Sequence, residues 1–315
     1  MQTIIYWFAK AIVAFIQALP IQLVARAGRI GGAIACVLDA RHRTVAKTNL
    51  QRCFPEKSAA EISAIVREHF RRLGENYACA VKTAGMTFEN VLARCEVVGL
   101  EKLATVARGS FIGPHQKFTA QGTPGAAPWN RIVAIGHFGN FELYALLARC
   151  LPGYQPATTY RGLKQPALNR LMEELRNRSG CLFFERRTGL RELMRALKHK
   201  GLILGLLSDQ HAGRKGVWGP FFGIECSTNP AAAVFALRYD SPLNTAICYR
   251  VGLGRWRVEV GDEIPLHENG AARSIEAITQ DINRVFEAAI RRDPANWFWV
   301  HKRWKPRHIP RPRTE

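Results

Sequence analysis

A histidine and a glutamate five residues apart, in His137-Phe-Gly-Asn-Phe-Glu142, carry the strongest chemical signal in the chain. An imidazole can take a proton from a hydroxyl near neutral pH. A carboxylate held beside it keeps one ring nitrogen protonated and leaves the other free to accept. The spacing alone is weak evidence, because nine histidines and 25 acidic residues produce roughly 0.7 such pairs by chance. Context gives it weight. The apolar run IVAIG ends at His137, Gly139 permits a tight turn, and Asn140 suits the N-cap of a helix reading FELYALLARC. His137 then sits at the carboxyl end of a strand, where open parallel sheets bind ligands. Glu142 falls in the first helical turn within reach of the imidazole, and the helix N-terminus favours its negative charge.

Three further polar residues follow strands on the same expected edge: Arg161 after one β run, and Asp209 with Gln210 at the end of another. Other enzyme signatures are missing. No G-x-S-x-G elbow, Walker A loop or complete G-x-G-x-x-G fingerprint occurs. The eight cysteines are too widely spaced for paired zinc ligands and read as buried free thiols of a reducing compartment.

The elements that must position these groups are legible from residue 130 onward. Short β runs at Arg131–Gly136, Pro156–Tyr160, Cys181–Phe184 and Leu202–Leu207 alternate with helical stretches at about 141–151, 166–178 and 188–199. That alternation indicates an α/β fold, a mostly parallel central sheet with helices on both faces. Leu243–Val251 and Trp256–Val260 add a hairpin, expected at a sheet edge, and a helix over 271–291 closes the domain. Upstream, the capping box Ser58-Ala-Ala-Glu61 opens a helix of about 25 residues. The stretch 109–130, rich in Gly, Pro and Gln, reads as a loop or insertion.

Lys and Arg number 45 against 25 Asp and Glu, a formal charge of +20, with 47% hydrophobic residues. A disordered chain, a collagen-like repeat and a coiled coil are excluded. So is a polytopic membrane protein, since no uncharged apolar run reaches 18 residues. A globular chain this basic needs an anionic partner: nucleic acid, an anionic membrane surface or a phosphorylated substrate. Residues 4–19 form an apolar helix too short to span a bilayer comfortably, Pro20 interrupts, and a weaker apolar helix runs from Ile21 to about Leu38. We read them as an N-terminal membrane-anchoring region, with Tyr6 and Trp7 at headgroup depth and Arg41, Arg43, Lys47 and Arg52 on the cytoplasmic flank; paired core helices are the alternative. The segment 297–313 interleaves Trp297, Trp299 and Trp304 with six Lys or Arg, which suits a membrane interface or, equally, a nucleic-acid surface. Residues 161–200 form a second basic face. The resulting layout is 1–40 as membrane-associated helices, 41–306 as the α/β domain with 109–130 inserted, and 307–315 as a basic tail.

HFGNFE resembles the H-x4-D/E motif of membrane-associated glycerolipid acyltransferases, and the fuller pattern is similar to the lipid A late acyltransferases (lauroyl and myristoyl transferases) of Gram-negative bacteria. Arg41 with Asn49-Leu50 and Phe54-Pro55 match, as do Tyr160-Arg161, Ser208-Asp209-Gln210, Pro220-Phe-Phe-Gly223 and Trp297…His301-Lys-Arg-Trp304-Lys. Together they cover about residues 1–306. The resemblance implies transfer of a fatty acyl group from an acyl carrier protein thioester, or acyl-coenzyme A, to a hydroxyl of a phosphorylated glycolipid, a lipid A precursor. It implies His137 as general base with Glu142 orienting it. Arg161 would hold the thioester oxyanion or a substrate phosphate, and Asn140, Asp209 and Gln210 would serve substrate or oxyanion binding. Pro220–Gly223 would wall an acyl pocket or be ordinary core. No cofactor or metal is implied, because a thioester is already activated. The implied location is the cytoplasmic face of the inner membrane, with no nucleic-acid partner. The alternatives are the same chemistry on another glycolipid, phospholipid or aminolipid, or a non-enzymatic basic membrane- or nucleic-acid-binding protein. Phe111–Trp129 departs from the family pattern as an insertion.

Overall fold

A computed structural model describes residues 1–103 and 129–307. The expected loop at 109–130 lies outside them except for its last two residues, as does the basic tail beyond Arg307. Helices α1 (Gln2–Ala18), α2 (Ile21–Leu38), α3 (Ala40–Cys53), α4 (Ala59–Thr83) and α5 (Phe88–Leu92) precede strand β1 (Cys95–Val98). Then come β2 (Arg131–Ile135), α6 (Leu143–Leu147), β3 (Gln155–Tyr160), α7 (Pro166–Asn177), β4 (Leu182–Glu185), α8 (Leu190–Ala196) and β5 (Leu202–Leu207). The chain continues through β6 (Val217–Phe221), β7 (Ile224–Thr228), α9 (Ala231–Arg238), β8 (Leu243–Gly252), β9 (Arg255–Val260) and α10 (Ile275–Arg292).

Local chemistry sets the helix ends. Pro20 denies an amide to any continuation of α1. The Ser58 hydroxyl accepts from the Glu61 amide at 3.3 Å while the Glu61 carboxylate accepts from the Ser58 amide at 2.8 Å, so both halves of the capping box form. Ser274 caps α10 through the Ala277 amide at 3.1 Å.

Seven strands form one sheet in the order β1-β9-β8-β2-β5-β3-β4, parallel throughout except between β8 and β9. Each side of the central strand β2 is apolar. Ile132 and Ala134 face the core shared with α3, α4, α9 and α10, whereas Val133 and Ile135 face the core shared with α2 and α6. A strand covered on both faces needs no polar alternation, which is why IVAI reads as a continuous apolar run.

The β8–β9 hairpin forms but does not lie at an edge. Strand β8 pairs with β2 in parallel, and β1 adds in parallel to the far side of β9. Four residues are too few for β1 to be distinguished by alternation. Pro220-Phe-Phe-Gly223 turns the β6–β7 hairpin, with Phe222 and Gly223 both at positive φ. Phe221 and Phe222 are buried against Phe54 and Trp304, so the two phenylalanines are core while Pro220 and Gly223 are exposed.

The three tryptophans of the C-terminal segment are core, against the expectation that they face a membrane or nucleic acid, whereas its described cations Lys302, Lys305 and Arg307 remain exposed. Trp297, Trp299 and Trp304 are buried with Arg303 among them. The Arg303 guanidinium lies 5.0 Å over the Phe221 ring and donates to the Ser227 carbonyl and the Thr228 hydroxyl. An extended segment can bury both its aromatic and its cationic side chains when the backbone ahead supplies acceptors; sequence spacing does not reveal those acceptors. The eight cysteines are free, and all but Cys150 are buried.

Candidate active site

Strand β2 delivers His137 to the carboxyl edge of the sheet, two residues past Ile135. The turn that follows needs glycine. Gly139 has φ +50°, and a Cβ there would lie 2.6 Å from the Cys248 carbonyl oxygen of β8. The Gly139 amide donates to the Asn296 carbonyl at 3.1 Å, and Phe138 bridges to Trp297, so the C-terminal segment braces the turn from below.

Asp209, two residues beyond β5, is fully buried and meets His137 twice. Its carboxylate accepts the His137 backbone amide at 2.9 Å and lies 2.8 Å from the ring Nδ1. The Trp297 indole donates to the same carboxylate at 2.8 Å. Burial opposes ionisation of Asp209, but the His137 charge and the hydrogen bonds from His137 and Trp297 outweigh it and bring the pKa down to about 2. An ionised carboxylate on Nδ1 selects the tautomer that leaves Nε2 free, with the Gln210 amide nitrogen 3.5 Å away. Phe141 and Phe298 flank the ring at 4.8 and 5.6 Å.

Glu142 takes a different partner from the one expected. Its carboxylate bonds the Arg176 guanidinium of α7 at 2.6 and 3.3 Å. Two features account for this. Helix α6 begins at Leu143, one residue after Glu142, so Glu142 does not occupy a helical first turn facing back on the ring. Arg176 is also held ready, its guanidinium 5.7 Å over Tyr160 and 5.6 Å over Phe183. The same start displaces the expected cap. Asn140 is buried, its side-chain nitrogen 3.5 Å from the Thr83 hydroxyl and its side-chain oxygen Oδ1 unpartnered among the described residues.

A cleft of about 950 Å³ brings together His137, Asn140, Glu142, Arg161 and Gln210, with Asp209 directly behind the imidazole. Arg161 is exposed on the wall, and five more cations line it: Arg149, Arg176, Arg178, Arg186 and Lys305. Glu142 is the one acidic residue among the described lining, so the cleft presents a positive field to any anionic ligand. Behind it an apolar cavity of about 110 Å³ runs under the sheet between Val133, Ile135, Leu151, Ala246 and Val260. Phe141, Glu142, Tyr160, Arg176 and Phe183 border both spaces, so the Glu142–Arg176 pair stands at their junction.

Sequence reasoning missed two participants. Trp297 appeared only as part of a terminal pattern, and Arg176 carried no signal beyond lying in a basic helix. His301 also lines the cleft; burial pulls its pKa down to about 4, and its Nδ1 has no described partner. No group of three or more His, Cys, Asp or Glu among the described residues is placed to hold a metal ion.

A tautomer-fixed imidazole at the rim of a basic, apolar-floored cleft suits a transferase that moves an acyl group to a polar acceptor. The sequence pattern of bacterial lipid A biosynthesis acyltransferases matches residues 1–306. The chain is 28% identical over 319 residues to a lipid A biosynthesis palmitoleoyltransferase of Escherichia coli K12, covering 96% of this chain and 92% of the relative. It is 25% identical over 309 residues to a lipid A biosynthesis lauroyltransferase of the same organism, at 96% and 91% coverage. A lipid A biosynthesis acyltransferase of Haemophilus influenzae is 24% identical over 315 residues, again at 96% and 91%. The chain belongs to the bacterial lipid A biosynthesis acyltransferase family and is an acyltransferase.

Proposed function

We propose that this enzyme transfers a fatty acyl group from a thioester, preferably carried by acyl carrier protein, to a hydroxyl of a phosphorylated lipid A precursor at a membrane surface. The observation carrying the chemistry is the 2.8 Å contact between His137 Nδ1 and the buried Asp209 carboxylate. In the proposed step His137 Nε2 takes the acceptor hydroxyl proton as the oxygen attacks the thioester carbonyl. Asp209 stabilises the resulting imidazolium. Collapse of the tetrahedral intermediate breaks the carbon–sulfur bond, and the imidazolium returns its proton to the departing thiolate. Arg161 and the Gln210 amide are the proposed partners of the oxyanion or a substrate phosphate.

The acyl chain extends into the apolar cavity behind Glu142 and Arg176, and the basic wall receives the acceptor phosphates. Glu142 shapes the junction between the two spaces and reaches the reaction through Arg176, while Asn140 supports the turn. The relatives named for palmitoleoyl and lauroyl transfer support a long-chain donor. The exposed cations of α8 and its approach, Arg187, Arg191 and Arg195, offer an acidic carrier protein a docking face.

The test is acyl transfer by purified enzyme, followed by mass spectrometry of lipid products, with acyl carrier protein and coenzyme A thioesters compared. His137→Ala should abolish transfer while circular dichroism stays unchanged. Undiminished transfer by the folded variant would end the assignment; equal kcat/KM for both donors would end the carrier-protein preference.

A further inference from the structure

The first two helices have the composition of membrane segments, and α2 is the one described helix long and apolar enough to cross a bilayer by length and composition. Their inner faces decide how they meet one. Helix α1 is fastened to α7 along its length. The Tyr6 hydroxyl donates to the Glu174 carboxylate at 2.8 and 2.9 Å, and Lys10 donates to that same hydroxyl at 2.8 Å. Arg170 lies 4.7 Å over the Tyr6 ring, and Gln165 bonds Gln2 at 2.7 Å. At its other end the Gln17 side chain donates to the Val81 carbonyl of α4 at 3.0 Å. Helix α7 in turn connects adjacent strands β3 and β4 of the main sheet. For α1 to cross a bilayer in this arrangement, Glu174, Arg170 and the sheet edge would have to enter hydrocarbon, where unsolvated charge and backbone are prohibitively costly.

Helix α2 is tied as firmly to α4. A Cβ on Gly32 would lie 2.0 Å from the Phe70 carbonyl oxygen, and one on Gly74 would lie 2.1 Å from that of Gly28, so the two backbones touch. Arg29 on the same face pairs with Glu68 at 2.9 Å and with the buried Glu75 at 3.3 Å. A long helix bearing Arg67, Glu68, Arg71 and Arg72 therefore accompanies α2.

The outer faces contrast with this. On α1, Tyr6 is 6% exposed, while its neighbours Trp7 and Phe8 are 60% and 69% exposed and continue the stripe to Ile12 and Phe15. On α2, Leu23, Ile30 and Ile34 stand out, with Arg26 exposed between them. We propose that α1 and α2 lie in the plane of an anionic bilayer surface with their outer stripes immersed, and that neither helix crosses it. Aromatic and aliphatic side chains over one face, with cations interspersed, match an interface of apolar tails beneath anionic headgroups. The same placement serves a lipid acceptor. Gln17, at the end of α1, contacts Val81, Gly85 and Arg178, all lining the cleft, so an in-plane α1 sets the cleft mouth at headgroup level. The proposal is independent of the chemistry at His137.

The experiment places nitroxide labels, one at a time, on cysteine substitutions of Ile4, Phe8, Ile12 and Phe15 in α1 and of Leu23, Ile30 and Ile34 in α2 of the full-length enzyme. Each is bound to vesicles of phosphatidylcholine with 30% phosphatidylglycerol (roughly the charge that interfacial cations sense). Depth is read from collisions with oxygen and a nickel chelate. An in-plane helix puts all of its own labels within about 5 Å of one depth. A spanning helix separates the first and last by about 16 Å at 1.5 Å per residue, and that gradient overturns the proposal. Aqueous readings, or dipolar broadening from label-to-label contact, overturn it in favour of a solvent-exposed face or a second copy of the chain. A parallel variant, Phe8→Glu with Phe15→Glu, should cut vesicle partitioning at least about tenfold with unchanged circular dichroism; retained binding counts against the immersed stripe.

Discussion

Asp209 lies 72 residues beyond His137 in the chain, yet its carboxylate touches both the backbone amide and the ring of that histidine. Parallel strands β2 and β5 are immediate neighbours with Ile135 opposite Leu207, so the residues just beyond them emerge side by side at the carboxyl edge. The backbone contact fixes the carboxylate, the Trp297 indole locks it, and the imidazole is oriented before any ligand arrives.

This pairing predicts non-additive kinetics. Asp209→Asn should lower kcat by about 10²–10⁴-fold, the range of a positioned acid–base pair, and His137→Ala should lower it at least as much. The double variant should fall no further than His137→Ala, because the two act as a unit. Single-turnover acyl transfer read by mass spectrometry checks this; multiplicative losses would separate the residues.

Glu142 should couple to Arg176 rather than to His137. Glu142→Gln and Arg176→Gln are each expected to impair transfer, with a coupling energy of roughly 1 kcal/mol or more between them. The pH profile of kcat should survive in both. A cycle in which Glu142 couples to His137, with no coupling to Arg176, would return Glu142 to the imidazole.

Cavity filling should change donor preference. Ala246 lines the inner apolar space, and Ala246→Leu shortens it at an overpacking cost of about 1–3 kcal/mol. Competition among C8 to C16 thioester donors should shift toward shorter chains, with the lower Tm accounted for separately. An unaltered preference in a folded variant would mean that the chain lies elsewhere in the cleft.

Acid stability follows from the buried histidines. Burial pulls His69 down to about 4, against the opposing pull of the Ala295 and Trp297 backbone carbonyls, and His301 also falls to about 4. Both are neutral when folded but protonate near pH 6.5 when unfolded. The unfolded state therefore binds more protons, and stability is lost as pH falls from about 6.5 to 4, by up to roughly 3 kcal/mol for fully buried His69. His69→Gln should about halve the slope of stability against pH in that window, leaving His301 to supply the rest. Asp209, whose folded pKa is depressed, adds a separate loss of about 2 kcal/mol between roughly pH 4 and 2. Urea unfolding at stepped pH measures both; a flat wild-type profile would contradict the burial of His69.

Local patterning determined much of this protein. The strand–His–Gly–Asn junction, the capping box at Ser58, the alternating β and α stretches after residue 130 and the apolar helices at the N-terminus are all readable, because each depends on neighbours within a few residues. Even Asp209 and Gln210 stood out at the end of a short apolar strand, whereas Trp297 did not. What local pattern could not assign was partnership. Glu142 is five residues from His137 and Asp209 is 72 away, but strand order and register, set by how the whole sheet packs, give the ring to the distant acid and the near one to Arg176. The same holds for Trp297, Trp299, Trp304 and Arg303, whose composition suits a wet interface and whose burial depends on the β6–β7 hairpin and α3 closing over them. The apolar helices α1 and α2, proposed above to lie at a membrane surface, follow this rule as well. Apolar residues reveal that a helix seeks hydrocarbon, but only the charged helices packed against its other face restrict how deep it can go.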